Sequence, residues 1–209
     1  MTRSALRRAA LAAAAAVALS TIGTGVAHAE RLAFTDRRGD VWSVDLDALV
    51  GEEITSPEDI PFEAEPNVKN GDIERTVLRH GRRTVSVHVD FAELRRVGEF
   101  RGDFLTFRTD TGARRMVMLF AGQGLWRGEM DVIRPGAGEI LECGATHKID
   151  YAENTVDLRF PRACFGEPRW LQMRAESGWA RLEAGRVYGD NAHNRAPQNW
   201  QFTQRVFSN

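Results

Sequence analysis

Two cysteines, two tyrosines and two lysines are all that 209 residues contain of those types. Several chemistries are excluded by what else is missing. No run of 18 apolar residues occurs, so no membrane-spanning helix is expected. Neither H-E-x-x-H nor G-x-S-x-G appears, which removes the usual metalloprotease and serine-hydrolase signatures. Gly122-Gln123-Gly124 lacks the third glycine and the following helix of a dinucleotide-binding turn. Apart from His147, no histidine or further cysteine stands at close ligand spacing around Cys143 or Cys164, which argues against a zinc site. The pairs Arg82-Arg83 and Arg114-Arg115 read as solvated strand ends rather than a basic stripe, so nucleic acid is not an expected partner. There are no internal repeats.

The first 29 residues read as a cleavable signal peptide. Arg3, Arg7 and Arg8 make a basic start, residues 9–19 form an apolar run, and Ala27-His28-Ala29 closes the segment as an A-x-A exit. The mature chain is expected to begin near Glu30, and the protein to be secreted. Arg7-Arg8 also permits the twin-arginine route, although Ala9-Ala10-Leu11 matches that pattern poorly. Three of the 28 basic residues and none of the 29 acidic ones precede residue 30. The remaining 180 residues therefore carry 25 basic against 29 acidic side chains, a net charge of −4. In an oxidising compartment, Cys143 and Cys164 are expected to form one disulfide.

A period of two dominates the mature chain. In residues 83–89 the valines share one face, and Thr84, Ser86 and His88 the other; Val156, Leu158 and Phe160 alternate in the same way. Trp126, Gly128, Met130 and Val132 line one face of a third run. Turn residues at 81–82, 110–112, 121–124 and 152–154 separate such runs and predict hairpins. Residues 116–120 are apolar on both faces and predict a covered central strand. One or two helical turns are expected at 45–50 and 91–96, and a short one at 161–166 ending on glycine. Residues 51–71 read as an acidic surface loop and 190–209 as a polar C-terminal tail, packed on the domain by Trp200 and Phe202 or partly disordered. The expected fold is an all-β antiparallel sandwich, jelly-roll-like, of about eight to ten strands over residues 30–189.

Four stretches carry a resemblance. They are Asp36-Arg37-Arg38-Gly39-Asp40-Val41, Asp72-Ile73, the alternation from Val85 to Leu94, and the segment from Val156 through Pro161-Arg162-Ala163-Cys164-Phe165-Gly166 to Trp170. In this order they resemble uncharacterised secreted proteins of high-GC Gram-positive bacteria. More distantly, D-x-x-G-D followed by D-I is similar to family-9-like carbohydrate-binding and DOMON-type β-sandwich modules. The resemblance implies a fold more than an activity. From the calcium-binding members of that group, a ligand role carries over to Asp36, Asp40 and Asp72.

The candidate residues raise three functional expectations. Asp36 and Asp40 flank a turn at Gly39, so their carboxylates could converge with Asp72 on Ca2+; the same residues also suit a plain hairpin turn. Trp179 and Trp200 are the candidates for exposed aromatic rings that stack on a ligand, against a role as packing lids. His88 stands near Asp90, on the same face only if its strand continues. The expected function is that of a secreted non-catalytic binding module, for a polysaccharide or the cell wall. The alternatives are a protein–protein interaction or structural domain, and third a hydrolase without a recognisable motif.

Overall fold

A computed structural model describes residues 30–47, 60–193 and 201–208. The expected signal peptide and Trp200 lie outside them. The strands, in chain order, are β1 (Glu30–Thr35), β2 (Trp42–Asp45), β3 (Glu63–Ala64), β4 (Ile73–His80), β5 (Thr84–Phe91), β6 (Phe100–Thr109) and β7 (Arg114–Gly122). They continue with β8 (Glu129–Arg134), β9 (Glu139–Ile140), β10 (Thr146–Asp150), β11 (Thr155–Pro161), β12 (Trp170–Arg181), β13 (Arg186–Asn191) and β14 (Val206–Phe207). Two antiparallel sheets pack together. One has the order β1-β4-β5-β11-β10; the other runs β3-β2-β13-β12-β6-β7-β8-β9, with β14 also paired to β12.

The hairpins form where alternation and turn residues predict them: β4–β5, β6–β7 and β10–β11 are paired antiparallel neighbours. The fourteen strands among the described residues exceed the expected eight to ten, in large part because β3, β9 and β14 are two-residue pairings too short to show a period. Residues 91–96 form no helix; β5 runs through Phe91, and Phe91 N–H donates to the Asn154 carbonyl. Trp126 and Gly128 lie in the turn before β8 rather than in the strand. The predicted turn at 161–166 is a 3-10 turn over Arg162–Phe165, stopped by Gly166 in the left-handed conformation.

The core lies between the sheets. Val85, Val87 and Leu78 from the smaller sheet meet Leu105, Phe107, Val117, Leu171 and Met173 from the larger. Phe107, Phe160 and Phe165 form an aromatic triad with ring centroids 4.8 to 5.9 Å apart. Each ring is fully buried, worth roughly 1.5–3 kcal/mol of transfer free energy. A disulfide joins Cys143, just before β10, to Cys164 in the 3-10 turn after β11. It therefore closes the base of the β10–β11 hairpin and holds the turn that inserts Phe165.

The expected polar tail from residue 190 is instead partly strand. Asp190 and Asn191 complete β13, and β14 pairs with β12 at Trp170 and Leu171. This closing strand is pinned by His80, fully buried, whose Nδ1–H donates to the Val206 carbonyl at 2.9 Å. Polar composition misleads here because the segment supplies backbone pairing and a few buried groups, not an apolar stripe. Among the described residues no helix is long and apolar enough to cross a membrane.

Candidate metal centre

Three separate segments bring aspartates to one end of the sandwich. Asp36 and Asp40 belong to the turn between β1 and β2. Gly39 lies at φ +75°, where a Cβ would come to 3.0 Å from the Pro66 carbonyl oxygen, so the turn needs glycine there. Asp72 stands immediately before β4 and accepts the Gly39 N–H on Oδ2 at 2.9 Å, tying the turn to the smaller sheet. Asp190 comes from β13 of the larger sheet. It accepts Ile73 N–H at 2.7 Å on Oδ2 and Asn191 N–H at 2.8 Å on Oδ1.

One carboxylate oxygen from each of Asp36, Asp40 and Asp190 lies within 4.8 Å of the others. Calcium–oxygen distances of about 2.3–2.6 Å allow two ligands of one ion to stand no more than about 5 Å apart, so the trio meets that condition. Asp190 and Asp72 are buried, at 1% and 2% exposure, while Asp36 and Asp40 are half-buried. Two surface depressions are lined in part by Asp36, which gives an ion an approach from solvent.

Among the described residues, the donors that reach Asp36, Asp72 and Asp190 are backbone N–H groups: those of Arg37 and His193 for Asp36, Gly39 for Asp72, and Ile73 and Asn191 for Asp190. Neutral donors offset part of the charge only. Burial, with the neighbouring carboxylates adding to it, raises Asp190 to about 8 and Asp36 to about 7, and burial raises Asp72 as well. Asp72 Oδ1 is buried without a hydrogen-bond partner. Backbone-fixed carboxylates, a buried oxygen without a donor, and charge that neutral donors and the nearby Arg38 offset only in part fit a hard, oxygen-seeking divalent ion.

Of the three sequence-predicted ligands, Asp36 and Asp40 belong to the converging trio. Asp72 stands beside it, with one oxygen committed to Gly39. Asp190 escapes sequence reasoning: it lies about 150 residues from Asp36 in a segment whose composition suggests a tail.

The aromatic expectation fails for Trp179. Rather than standing in a loop, it sits within β12, at 9% exposure. Its ring stacks on Tyr188 with centroids 4.3 Å apart and 7° between planes, and Nε1–H donates to the Asn70 carbonyl at 3.0 Å. The reason is that Gly178 does not break the strand. It pairs with Gly102 on one side and Gly189 on the other, so β12 continues through it.

His88 and Asp90 do share a face, because β5 continues through both. His88 Nδ1 bonds Asp157 at 2.7 Å and Nε2 bonds Asp90 at 3.0 Å. Partial burial works against the imidazolium, yet the hydrogen bonds and charges of Asp157 and Asp90 together hold it above the ordinary histidine value.

Compared with known proteins, the chain matches no protein-family model and no curated sequence.

Proposed function

We propose that this protein is a secreted, non-catalytic binding module whose sandwich is braced by a calcium ion held by Asp36, Asp40 and Asp190, with Asp72 beside them. The observation that carries the cation is the convergence of Asp36 and Asp40 from the β1–β2 turn with Asp190 from β13, where Asp36 and Asp190 accept hydrogen bonds from neutral backbone donors. An ion there would link the two sheets, since β1, which Asp36 follows, and β13, which carries Asp190, belong to different ones. Its role in this reading is to brace the fold and the loops at that end. The secreted, carbohydrate-directed part of the reading rests on the signal-like leader and on the resemblance to carbohydrate-binding sandwiches.

The test is thermal unfolding and calorimetric titration of the purified protein, in EDTA and with calcium added. A ligand at about 100 times its Kd adds roughly 2.7 kcal/mol to stability, which is a rise of several degrees for a domain of this size. Calcium should give that rise, and Asp190→Asn should abolish it. Identical unfolding in EDTA and calcium, with no heat of binding, would reject the cation site.

A protein partner is the second reading, and one observation favours it. On the outer face of the larger sheet Phe104, Phe120, Met116 and Met118 stand on neighbouring strands, half-buried, with Phe104 and Phe120 edge to face at 5.4 Å. Such a contiguous apolar strip suits a protein surface better than a polar glycan.

A further inference from the structure

The outer face of the smaller sheet differs in charge from the rest of the molecule. Register sets the side chains there into rows. One row runs Arg31 (β1), Arg79 (β4), Ser86 (β5), Arg159 (β11) and Thr146 (β10). The next runs Ala33, Val77, His88, Asp157 and Lys148, and beyond it come Thr35, Arg75, Asp90 and Thr155. Arg31 and Arg79 are direct cross-strand partners, an arrangement of like charges that weakens a sheet unless something else offsets it.

Among the described residues nothing on the face does so. Arg31, Arg79 and Arg159 are exposed, and among the described residues none has a carboxylate within ion-pair distance. The acids present are engaged elsewhere. Asp157 and Asp90 hold His88 between them, Asp90 also faces Arg75 at 3.7 Å, and Asp150 pairs with Lys148. Arg31, Arg75, Arg79, Ser86, His88 and the His88-bound Asp157 line a shallow depression of about 420 Å³ over Val77. The face is thus cationic on a chain whose formal net charge is −1.

We propose that this face binds an anionic polysaccharide, with Arg31, Arg79 and Arg159 as the principal contacts and Arg75 at the edge. The proposal rests on the binding-module reading and names its ligand class. Strands stand about 4.8 Å apart, so the guanidinium stems of Arg79 and Arg159 start about 10 Å from each other, and Arg31 lies one strand beyond. That spread suits several charges along a polymer better than a single small anion. Arginine forks pair with carboxylate or sulfate oxygens two at a time. No Trp, Tyr or Phe occurs in these rows, and the one imidazole, His88, is held between Asp157 and Asp90, so a neutral sugar would find no broad platform to stack on.

The experiment is binding of the purified protein to dextran sulfate, polygalacturonate, uncharged dextran and duplex DNA, at low and high salt. Dextran and its sulfate share a backbone and differ in charge, while polygalacturonate separates carboxylate from sulfate recognition. Saturable binding to one or both anionic glycans, weakened by salt and weakened at least tenfold in Arg31→Ser/Arg79→Ser/Arg159→Ser, is the expected result. The control Arg114→Ser/Arg181→Ser, which removes the same kind of charge elsewhere, should leave binding unchanged. Equal loss in that control, tighter binding to DNA, or no binding to either anionic glycan would overturn the proposal. Failure here is distinguishable from failure of the underlying reading. Retention on uncharged dextran that survives the triple substitution would keep a binding module and reject this face. A calcium-dependent rise in unfolding temperature would stand or fall independently of both.

Discussion

Arg101 and Asp103 lie between the sheets as a buried ion pair, with side chains 4% and 7% exposed. The guanidinium also stacks over Phe91 at 5.1 Å and reaches Ser177 Oγ at 3.4 Å. Such a pair contributes little net stability, because desolvation of both ions offsets their attraction, but losing one partner strands the other. Asp103→Ala is therefore expected to destabilise by about 3–5 kcal/mol, whereas replacing both residues by apolar ones of similar volume should cost far less. Urea unfolding of the two variants checks this; similar midpoints would show that Arg101 finds other partners. Nothing in the local sequence marks these two residues. In the β6 alternation they occupy inward positions where apolar side chains are expected, and only the facing sheet shows that the guanidinium has a ring and a carboxylate to meet. Asp36 and Asp40 are legible for the opposite reason, since a five-residue turn around Gly39 brings them together without help from the rest of the chain.

At the level of elements, the β10–β11 hairpin depends on the Cys143–Cys164 bridge at its base. The bridge spans 21 positions, and closing a loop of that size limits the unfolded chain by roughly 3 kcal/mol in the entropy model. Reduction should lower the free energy of unfolding by that amount while leaving the larger sheet's β12–β6–β7 pairing formed, because those strands lie outside the loop. Hydrogen exchange read strand by strand would test it, and uniform loss of protection would show that the 3-10 turn holding Phe165 organises the whole core. Long strands such as β4, β5 and β11 are visible in the sequence because one face is buried and the other wet, so the side chains alternate. The pairings β3, β9 and β14 are invisible to that signal. They are held by backbone bonds and by single contacts such as His80 to Val206, which depend on where the rest of the chain already lies.

For the whole molecule, the aspartate cluster gives stability a definite dependence on pH. Asp190 and Asp36 are raised from 3.8 to about 8 and about 7, so the folded state keeps protons that the unfolded chain has released. Their contribution is full below the unfolded value near 4 and is lost as pH rises through about 7 to 8. His80 acts in the opposite sense: burial lowers its pKa, so its contribution is present above the ordinary histidine value and lost as pH falls through the lowered one. His88, raised, again favours the lower pH, though a side chain 37% exposed is screened by solvent. In EDTA the unfolding temperature is thus expected to decline from about pH 6 to about pH 8, and calcium should remove the decline, since cation binding replaces the protons. The Asp36→Asn/Asp190→Asn variant should lose most of both effects. A flat profile in EDTA from about pH 6 to 8 would mean that the carboxylates ionise in the folded state without penalty.

Local physics determined the all-β class, the principal hairpins, the paired cysteines and the Asp36–Gly39–Asp40 turn. Each needs only side-chain alternation, a turn residue or an even cysteine count, and each is set by residues close together in the chain. Tertiary structure alone decided that Asp190 joins that turn, that Trp179 is an interior ring stacked on Tyr188, and that Arg31, Arg79 and Arg159 fall into one row. Those outcomes depend on strand order and register between segments up to about 150 residues apart. A shift of one residue in any pairing would send the same side chains to the opposite face.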